Sequence, residues 1–585
     1  MAVLPSPATQ DPLESIGAML DKASFASVAQ LCCGFSPATA AQAFTDWGLH
    51  LALSPGKRLE LFAKAGRKSM RLADYALRGG NAADAAPAIE PLPQDKRFSD
   101  PAWKQWPFDL IAQAFLLQQQ WWHAATTGVA GVSHHHEDMV AFAARQWLDM
   151  FAPTNFLLTN AVLQARITET VGRCLVDGFE DWAQDALRLM RGQPSAESEN
   201  YRPGKEVAAS KGKVVFRNRL IELIQYAPST EKVRPEPVLI VPAWIMKYYI
   251  LDLSRSNSLV KWLTDQGFTV FMISWHNPGE KDRDLDMVAY RTLGPMAALD
   301  VIQTITGSDR IHAAGYCLGG TLLAIAGAAM ARDGDDRLAS MTLFAAQTEF
   351  SEPGELGLFI DEAQLNILDS MMWSRGYLDS SQMGGAFQLL RSNDLIWSRL
   401  LTEYLMGQRA EPSDLMAWNA DGTRMPYAMH SEYLRALFLN NDLAEGRYVV
   451  GEKPVTLSAL AAPMFVVGTE QDHVAPWRSV HKIHWLTEAE IEFVLTTGGH
   501  NAGIVSQPGH RGRSFHIARR DRGGPSRDPD AWLEQAERRE GSWWPVWTDW
   551  LAARSGEPGP PPPLGNAERG FPPLADAPGD YILER

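Results

Sequence analysis

The stretch Arg310-Ile-His-Ala-Ala-Gly-Tyr-Cys-Leu-Gly-Gly-Thr321 decides the fold, because it has the pattern of a strand, a tight turn and the start of a helix. Cys317 is the centre of the turn. A turn of this kind strains the backbone of its central residue and requires small residues two positions to either side. The Cys317 side chain would then stand at the carboxyl edge of a sheet, beside a helix N-terminus that favours a thiolate. The motif predicts a nucleophilic cysteine.

Strand and helix patterns alternate on both sides of this turn. Apolar runs predict strands, and periodic or small-residue runs between them predict helices such as 258–267, 286–306 and 321–331. The predicted strands are Val238–Val241, Thr269–Ser274, Arg310–Ala314, Met464–Val467 and Ile491–Thr496. Such alternation predicts a mostly parallel sheet with helices on both faces, and with the cysteine turn it predicts an α/β-hydrolase fold.

A base and an acid follow the last two predicted strands, in the chain order that this fold uses. Asp472 lies in the loop after Val467, and His500 lies in the loop after Thr496. We therefore predict a Cys317–His500–Asp472 triad. Glu470 is the alternative acid and His473 the alternative base.

The length of 585 residues predicts more than one domain. Helical patterns fill the first part, with an Ala/Pro-rich linker at 80–94, and a polar stretch at 192–213 ends it. We predict a helical N-terminal domain over 1–200 and a catalytic domain over 201–585. A long helical insert at about 343–451 interrupts the alternation in the position of a lid.

The composition excludes several classes of protein. Lys+Arg 54 against Asp+Glu 69 gives a net charge of −15, which argues against a general nucleic-acid binder. Residues 1–10 carry no secretory signal pattern, no apolar run is long enough for a membrane span, and the four cysteines form no disulfide framework or zinc motif. We expect a soluble cytoplasmic protein without a metal or cofactor. Cys32, Cys33 and Cys174 are expected to be core or surface thiols, and His134–His136 a solvated helix start.

With these motifs in view, the chain resembles the class I polyhydroxyalkanoate synthases, or poly-3-hydroxybutyrate polymerases, over nearly its whole length. The N-terminal 99–155 region also resembles their helical domain. The stretches that carry the resemblance include Leu239-Ile-Val-Pro-Ala-Trp-Ile245, Ser274-Trp-His-Asn-Pro278, Gly315-Tyr-Cys-Leu-Gly-Gly320, Phe350-Ser-Glu-Pro-Gly-Glu355, Asn393-Asp-Leu-Ile-Trp397, Trp418-Asn-Ala-Asp421, Gly498-Gly-His500 and Gly541-Ser-Trp-Trp-Pro545.

The resemblance implies a polymerase that joins (R)-3-hydroxyacyl groups from coenzyme A thioesters through a cysteine thioester and releases CoA. Cys317 would be the acylated nucleophile, His500 its base, and Asp472 the acid. The oxyanion donors would be the amide of Leu318 and one amide from Ala243, Trp244 or Ile245. The resemblance also implies a homodimer, a growing polyester at the surface of cytoplasmic granules, phasin-like granule proteins as partners, and a role for the N-terminal domain in granule or partner association and dimer support.

Two alternative functions stay open, of which the first shares the predicted triad and the second is opposed by it. A thiol-dependent polyester depolymerase or thioesterase would release acid to water, and a non-catalytic paralogue would bind the granule or an active synthase. The sequence departs from the family at four positions near the expected cleft, which bear on acyl-chain preference and turnover. Family members usually have Pro at Ala243, Asn at Met246, Arg at His276 and an aliphatic residue at Asn501.

A basic stretch over 510–527 suggests a contact for the CoA phosphates. Arg519 and Arg520 are the predicted substrate-binding residues. A solvated loop is the alternative interpretation of the same stretch.

Overall fold

The computed structural model describes residues 12–32, 34–78, 86–193 and 196–585. Cys33, residues 1–10 and the first part of the predicted linker lie outside the described residues. The chain divides into two compact units. The helical unit comprises Ser36–Ala196 and Gly384–Glu411, and the sheet unit comprises residues up to Phe35, Glu197–Met383 and Pro412–Arg585.

This division differs from the predicted 1–200 and 201–585 domains in two segments. Helix α1 (Pro12–Leu31) belongs to the sheet unit, where it packs on the helix Glu362–Arg375. Segment 384–411, which the prediction placed in the lid, belongs to the helical unit. There the Tyr404 hydroxyl donates to Asp185 over 2.9 Å. Both groupings depend on contacts between residues far apart in sequence.

The helical unit is built of six α-helices in its described residues. They are α2 (Pro37–Leu53), α3 (Pro55–Leu77), α4 (Phe108–Thr126), α5 (His134–Met150), α6 (Ala161–Glu169) and α7 (Arg173–Met190). Ser133 caps α5 by accepting the His136 amide, so the three consecutive histidines form the first helical turn. His136 Nδ1 lies 2.7 Å from Asp46 Oδ2, which joins α5 to α2.

The sheet unit is built on a mixed sheet. Its strands and three small ribbons are β1 (Gly212–Arg217), β2 (Ile221–Tyr226), β3 (Val238–Val241), β4 (Asp252–Ser254), β5 (Asn257–Ser258), β6 (Val270–Trp275), β7 (Ile311–Tyr316), β8 (Leu338–Phe344), β9 (Tyr377–Leu378), β10 (Met425–Pro426), β11 (Val449–Val450), β12 (Lys453–Pro454), β13 (Met464–Thr469), β14 (Ile491–Thr496), β15 (Ser514–Arg520), β16 (Glu537–Glu540) and β17 (Ala575–Asp576). In the described residues the main sheet has the strand order β16-β15-β14-β13-β8-β7-β3-β6-β2-β1-β17.

The centre of this sheet is parallel and its two margins are antiparallel. Strands β6, β3, β7, β8, β13 and β14 run parallel, and β2 and β15 are the first antiparallel neighbours on either side. Every residue of β3, β6, β7 and β13 is buried. The carboxyl ends of these parallel strands therefore meet at one edge of the sheet, where an α/β protein places its ligands. The predicted α/β-hydrolase architecture, with a helical N-terminal region, is confirmed.

Helices connect the strands of the sheet unit. They are α8 (Leu259–Asp265), α9 (Met287–Arg291), α10 (Ala297–Thr306), α11 (Leu318–Asp333), α12 (Glu362–Arg375), α13 (Ser380–Leu390, which crosses the boundary between the units), α14 (Asp414–Asn419), α15 (Tyr427–Glu432), α16 (Trp477–His481), α17 (Ile483–Leu486), α18 (Pro529–Gln535) and α19 (Trp544–Ala552). Between β8 and β13 the chain leaves the sheet and forms α12 to α15. No helix among the described residues is long and apolar enough to cross a membrane.

Tryptophans of the 542–550 segment lie in the hydrophobic core. Trp543, Trp544 and Trp547 are at most 1% exposed. The Trp547 indole donates to Thr342 in β8 over 3.0 Å, so α19 lies directly against the sheet. These buried side chains stabilise the fold.

Candidate active site

Cys317 occupies the sharp turn between β7 and α11. Its backbone has φ 51° and ψ −122°, an unfavourable conformation for a residue with a side chain. Its amide donates to the Phe344 carbonyl of β8 over 2.9 Å, which holds the turn against the sheet. The strain and the surrounding bonds fix the thiol at the carboxyl edge of the parallel strands.

The glycines of the motif are required by close backbone packing. A Cβ on Gly319 would lie 2.6 Å from the Pro242 carbonyl oxygen and closer still to that of Val241. A Cβ on Gly320 would lie 2.5 Å from the Cβ of Ala346. The start of α11 is thus pressed against the loop that follows β3, which a larger residue at Gly319 would prevent.

His500 and Asp472 lie together in the loops after β14 and β13. His500 Nδ1 is 2.8 Å from Asp472 Oδ2, and the His500 ring is also hydrogen-bonded to the Cys317 thiol. Because Nδ1 faces Asp472, Nε2 is the nitrogen available to the thiol. The structure therefore brings the three predicted catalytic residues into one connected chain of hydrogen bonds.

The carboxylate of Asp472 is buried and fully surrounded by donors. Thr469 Oγ1 donates to Oδ2 over 2.9 Å, and the amides of Val474 and Ala475 donate to Oδ1 over 2.9 and 2.8 Å. Burial opposes ionisation, but the charge of His500 and these hydrogen bonds outweigh it and lower the pKa of Asp472. Asp472 is thus held as a carboxylate that orients the imidazole.

The electrostatic setting of His500 favours the imidazolium. Burial by itself would lower the pKa of His500, but the charges of Asp472 and Cys317 outweigh it and hold the pKa well above its usual value. A histidine in this setting readily accepts the thiol proton. The site can therefore generate a thiolate–imidazolium pair, the reactive form of a cysteine nucleophile.

The alternative acid and base lie elsewhere. Glu470 is 3.9 Å from His516 and is not bonded to His500. His473 is exposed, and its carbonyl faces Gly354. Neither side chain takes part in the hydrogen-bonded chain at Cys317.

The predicted oxyanion residues adjoin Cys317 from two sides. Leu318 opens α11, so its amide has no partner within the helix. The Ala243–Ile245 segment follows Pro242, against which Gly319 packs. Thr423 holds this segment in place, its hydroxyl donating to the Trp244 carbonyl and its amide to the Ile245 carbonyl over 3.0 Å.

The position of Arg519 and Arg520 in the sheet does not support their predicted contact with CoA. Strand β15 runs antiparallel to β14, and its register pairs Arg520 with Ile491 and Arg519 with Glu492. Both arginines therefore flank the amino end of β14, whereas His500 follows its carboxyl end. Arg520 is buried and donates to the carbonyls of Thr487 and Ala489 over 2.6 and 2.7 Å, and Arg519 pairs with Glu490 over 2.9 Å. These arginines stabilise loops at the edge opposite the site.

Three further contributions to the site were not predicted. The Tyr316 hydroxyl donates to Asn501 Oδ1 over 2.5 Å. Tyr433 is partly buried, and desolvation together with the nearby Cys317 raises its pKa. The indoles of Trp543 and Trp544 donate to the carbonyls of Gly503 and Ile504 over 3.1 and 3.0 Å, which fixes the end of the His500 loop. The Gly541–Pro545 stretch was recognised from family resemblance, but only the fold shows its contact with this loop.

Comparison with known proteins identifies relatives over most of the chain. Residues 94–263 match the family described as the poly-beta-hydroxybutyrate polymerase N-terminus, and residues 15–57 match a second family of that N-terminal description. Residues 236–507 match the alpha/beta hydrolase fold family.

Individual curated proteins extend these matches. The poly(3-hydroxyalkanoate) polymerase of Methylorubrum extorquens is 40% identical over 537 residues, which cover 90% of this chain and 87% of that protein. The poly(3-hydroxyalkanoate) polymerase subunit of Cupriavidus necator is 34% identical, covering 85% of this chain and 84% of that protein. Poly(3-hydroxyalkanoate) polymerase 2 of Ectopseudomonas oleovorans is 36% identical, covering 85% and 88%.

Proposed function

The chain belongs to the poly(3-hydroxyalkanoate) polymerase family, and we propose that it polymerises (R)-3-hydroxyacyl groups from their coenzyme A thioesters with release of CoA. The observation that carries the proposal is the hydrogen-bonded chain from Cys317 through His500 to Asp472 on a strained turn. This arrangement supplies an activated thiol at the edge of the sheet where the lid segment and the β3 loop also meet.

Acylation is the first proposed step. His500 takes the Cys317 proton, and the thiolate sulfur attacks the thioester carbonyl carbon. The carbon–sulfur bond to CoA then breaks, and the imidazolium returns its proton to the CoA sulfur. The amides of Leu318 and of one residue in 243–245 stabilise the oxyanion in between.

Chain extension is the second proposed step. The 3-hydroxyl of another hydroxyacyl unit loses its proton to His500 and attacks the acyl carbon on Cys317. An ester bond forms, the bond to sulfur breaks, and the thiolate is regenerated. Exchange of one thioester for another is close to thermoneutral, while ester formation from a thioester is downhill, which makes a cysteine suitable for this role.

The proposal includes a homodimer at the surface of polyester granules. Its support is an exposed apolar face on α7 of the helical unit, where Val176, Phe179, Trp182 and Leu189 are 57%, 63%, 49% and 82% exposed. Such a patch is unusual on a protein surface that meets only water. Replacing Phe179 and Trp182 with Ser should lower the fraction of protein that sediments with added polyester granules, without changing CoA release from soluble substrate.

The test of the proposed chemistry is Cys317→Ala assayed with 3-hydroxybutyryl-CoA for CoA release and for polymer. We expect no CoA release from this variant and no acyl adduct on the peptide containing residue 317 after acid quenching. Cys32→Ala is the matched control, because Cys32 is also a partly exposed free thiol, and it should keep wild-type turnover. Turnover by Cys317→Ala would refute the nucleophile, and free hydroxy acid in place of polymer from the wild type would favour a thioesterase.

A further inference from the structure

Residues Asp580–Arg585, which we call the 580–585 segment, are tied to the sheet unit through a buried carboxylate. Glu222 in β2 is fully buried, and its Oε2 accepts the amides of Asp580 and Tyr581 over 2.9 and 3.0 Å. Gly579 has φ +82° and lies so close to Glu222 that a Cβ there would collide with the carboxylate. The backbone of this segment is therefore held in one place.

From this anchor the segment reaches the loop after β6. One carboxylate oxygen of Glu584 lies 2.8 Å from His276 Nδ1, and Glu584 also accepts the Asn277 amide over 2.7 Å. Asn277 in turn accepts the Arg424 amide over 2.9 Å. Glu584 thus joins the β6 loop to the part of the chain between α14 and α15.

The same segment is also bonded to the β3 loop and to the lid. Lys247 Nζ donates to the Tyr581 carbonyl over 2.8 Å, only two residues beyond the candidate oxyanion residue Ile245. Arg424 donates to the main-chain oxygen of Arg585 over 3.0 Å, and the Arg585 side chain lies 3.4 Å from Asp421.

Besides the Thr423 bonds described above, Lys247 links the β3 loop directly to the lid. The Lys247 amide donates to the Asp421 carbonyl over 3.1 Å, and the Trp418 indole donates to the Lys247 carbonyl over 2.7 Å. The 580–585 segment therefore reinforces a contact on which the position of residues 243–245 depends.

We propose that Glu584 is a positioning residue that fixes the oxyanion loop and the lid beside Cys317, and that its pairing with His276 makes this positioning depend on pH. This inference rests on the proposed function and concerns the residues that set the geometry of its active site. Glu584 touches no reacting atom and acts through the β6 loop and Arg424.

Two carboxylates face the His276 ring. Glu584 lies on Nδ1, and Asp282 lies 3.2 Å from Nε2, with Arg219 bound to Asp282 from the far side. The Tyr581 ring centroid is 5.3 Å from that of His276. The hydrogen bond and charge of Glu584, with those of Asp282, outweigh burial and raise the pKa of His276 above its ordinary 6.5.

The sign of the pH effect follows from the raised pKa. The stabilisation from the His276 ion pairs is fully present below pH 6.5 and is lost as pH rises through the raised pKa of the folded protein. Lys247 also titrates above pH 6.5, because burial lowers its pKa to about 8. A variant that keeps Lys247 but carries a permanent charge at position 276 separates the two effects.

The experiment compares wild type, His276→Arg and Glu584→Gln, with His134→Arg as a control at an exposed histidine of the helical unit. The rate constant kcat/KM for CoA release is measured from pH 6 to pH 9. The ratio of wild type to His276→Arg should be near one at pH 6 and fall by roughly tenfold at pH 9, the size expected for a lost charge-assisted hydrogen bond. The ratio of wild type to His134→Arg should stay flat.

Hydrogen exchange of residues 243–247 and 418–424 gives a second readout that needs no activity. At pH 8.5 these segments should exchange faster in wild type than in His276→Arg, and in Glu584→Gln they should exchange faster at pH 6 as well. A flat wild-type to His276→Arg ratio with equal exchange in all variants would overturn the inference. If the wild type releases no CoA, the proposed function fails, and the exchange rates still decide the role of the 580–585 segment.

Discussion

The hydroxyl of Tyr316 lies 2.5 Å from Oδ1 of Asn501, so the residue before the proposed nucleophile Cys317 is hydrogen-bonded to the residue after the proposed base His500. Asn501 Nδ2 also donates to Asn419 Oδ1 at the end of α14, over 3.3 Å. The ring centroids of Tyr316 and His500 are 5.6 Å apart. The two bonds of Asn501 connect β7, the loop that carries His500 and the end of α14.

Replacing Asn501 with Leu should therefore destabilise the protein and slow turnover. The Tyr316 hydroxyl would remain buried without its acceptor, at a cost of about 1–3 kcal/mol in the free energy of unfolding. Tyr316→Phe and the double variant complete a mutant cycle measured by urea unfolding. Because the double variant removes both partners, its loss should be smaller than the sum of the single losses; strict additivity would show that the bond contributes nothing.

The change Asp472→Asn should lower kcat for CoA release by about 10⁴-fold, because an amide cannot hold His500 in the correct tautomer or stabilise its charge. The pKa of His500 should fall for the same reason. Glu470→Gln is the control, since Glu470 lies beside His516, and its kcat should stay within a factor of two of wild type. Comparable losses in the two variants would argue against Asp472 as the orienting acid.

The change Gly319→Ala should abolish activity, because the new Cβ would force α11 away from the Val241–Pro242 backbone and open the gap between Leu318 and Ala243. Gly66→Ala in α3 is the matched control. Nothing lies within 4 Å of a Cβ built there, and the change should stabilise the helix by about 1 kcal/mol. Thermal unfolding and CoA release are measured together. An active Gly319→Ala enzyme would contradict the close packing of the turn.

The change Arg520→Ala should reduce stability without altering the KM for the CoA substrate. Three carbonyl groups and the Ser526 hydroxyl would lose a charged donor in the interior, at a cost of about 3 kcal/mol. Arg519→Ala, at an exposed ion pair, should change stability by less than about 1 kcal/mol. A several-fold rise in KM in either variant would show that the replaced arginine contributes to binding of the CoA substrate.

Acid should destabilise the protein through histidines that are buried in the neutral form. Burial lowers the pKa of His481 to about 4 and that of His312 to about 4. An unfolded histidine takes up a proton below about pH 6.5, so the unfolded state binds more protons between pH 6.5 and 4. The free energy of unfolding should therefore decrease as the pH falls through this range.

His481→Phe tests this acid dependence. The His481 ring centroid lies 5.0 Å from that of Phe493 and 5.7 Å from that of Trp532, so a phenylalanine ring fits the same aromatic surroundings. The variant removes one titrating group. The free energy of unfolding is measured in urea from pH 7 to pH 4.5. Its slope against pH should be smaller in the variant than in wild type, by up to about 1.4 kcal/mol per pH unit. His134→Phe, at an exposed position, should leave the slope unchanged. An unaltered slope in His481→Phe would show that His481 is protonated in the folded state.

Short-range patterns along the sequence account for the turn, the chain order of the site residues and the central strands. The strand–turn–helix around Cys317 is encoded locally, because the turn admits only small residues at Gly315 and Gly319. Cys317, Asp472 and His500 each follow a predicted strand, and the carboxyl ends of parallel strands share one edge of the sheet. Apolar runs such as Val238–Val241 predict buried parallel strands without any knowledge of their neighbours.

Tertiary packing, and not local sequence, sets the end of the sheet at which a residue lies and the distant segments that it contacts. Arg519 and Arg520 are close to His500 in sequence, but the antiparallel direction of β15 carries them to the opposite edge. The grouping of α1 with α12, the support of the His500 loop by Trp543, and the bond between Glu584 and His276 likewise join residues separated by about 40 to more than 300 positions. Residue type and local period carry no information on such pairings, because burial and register arise from the whole packed chain.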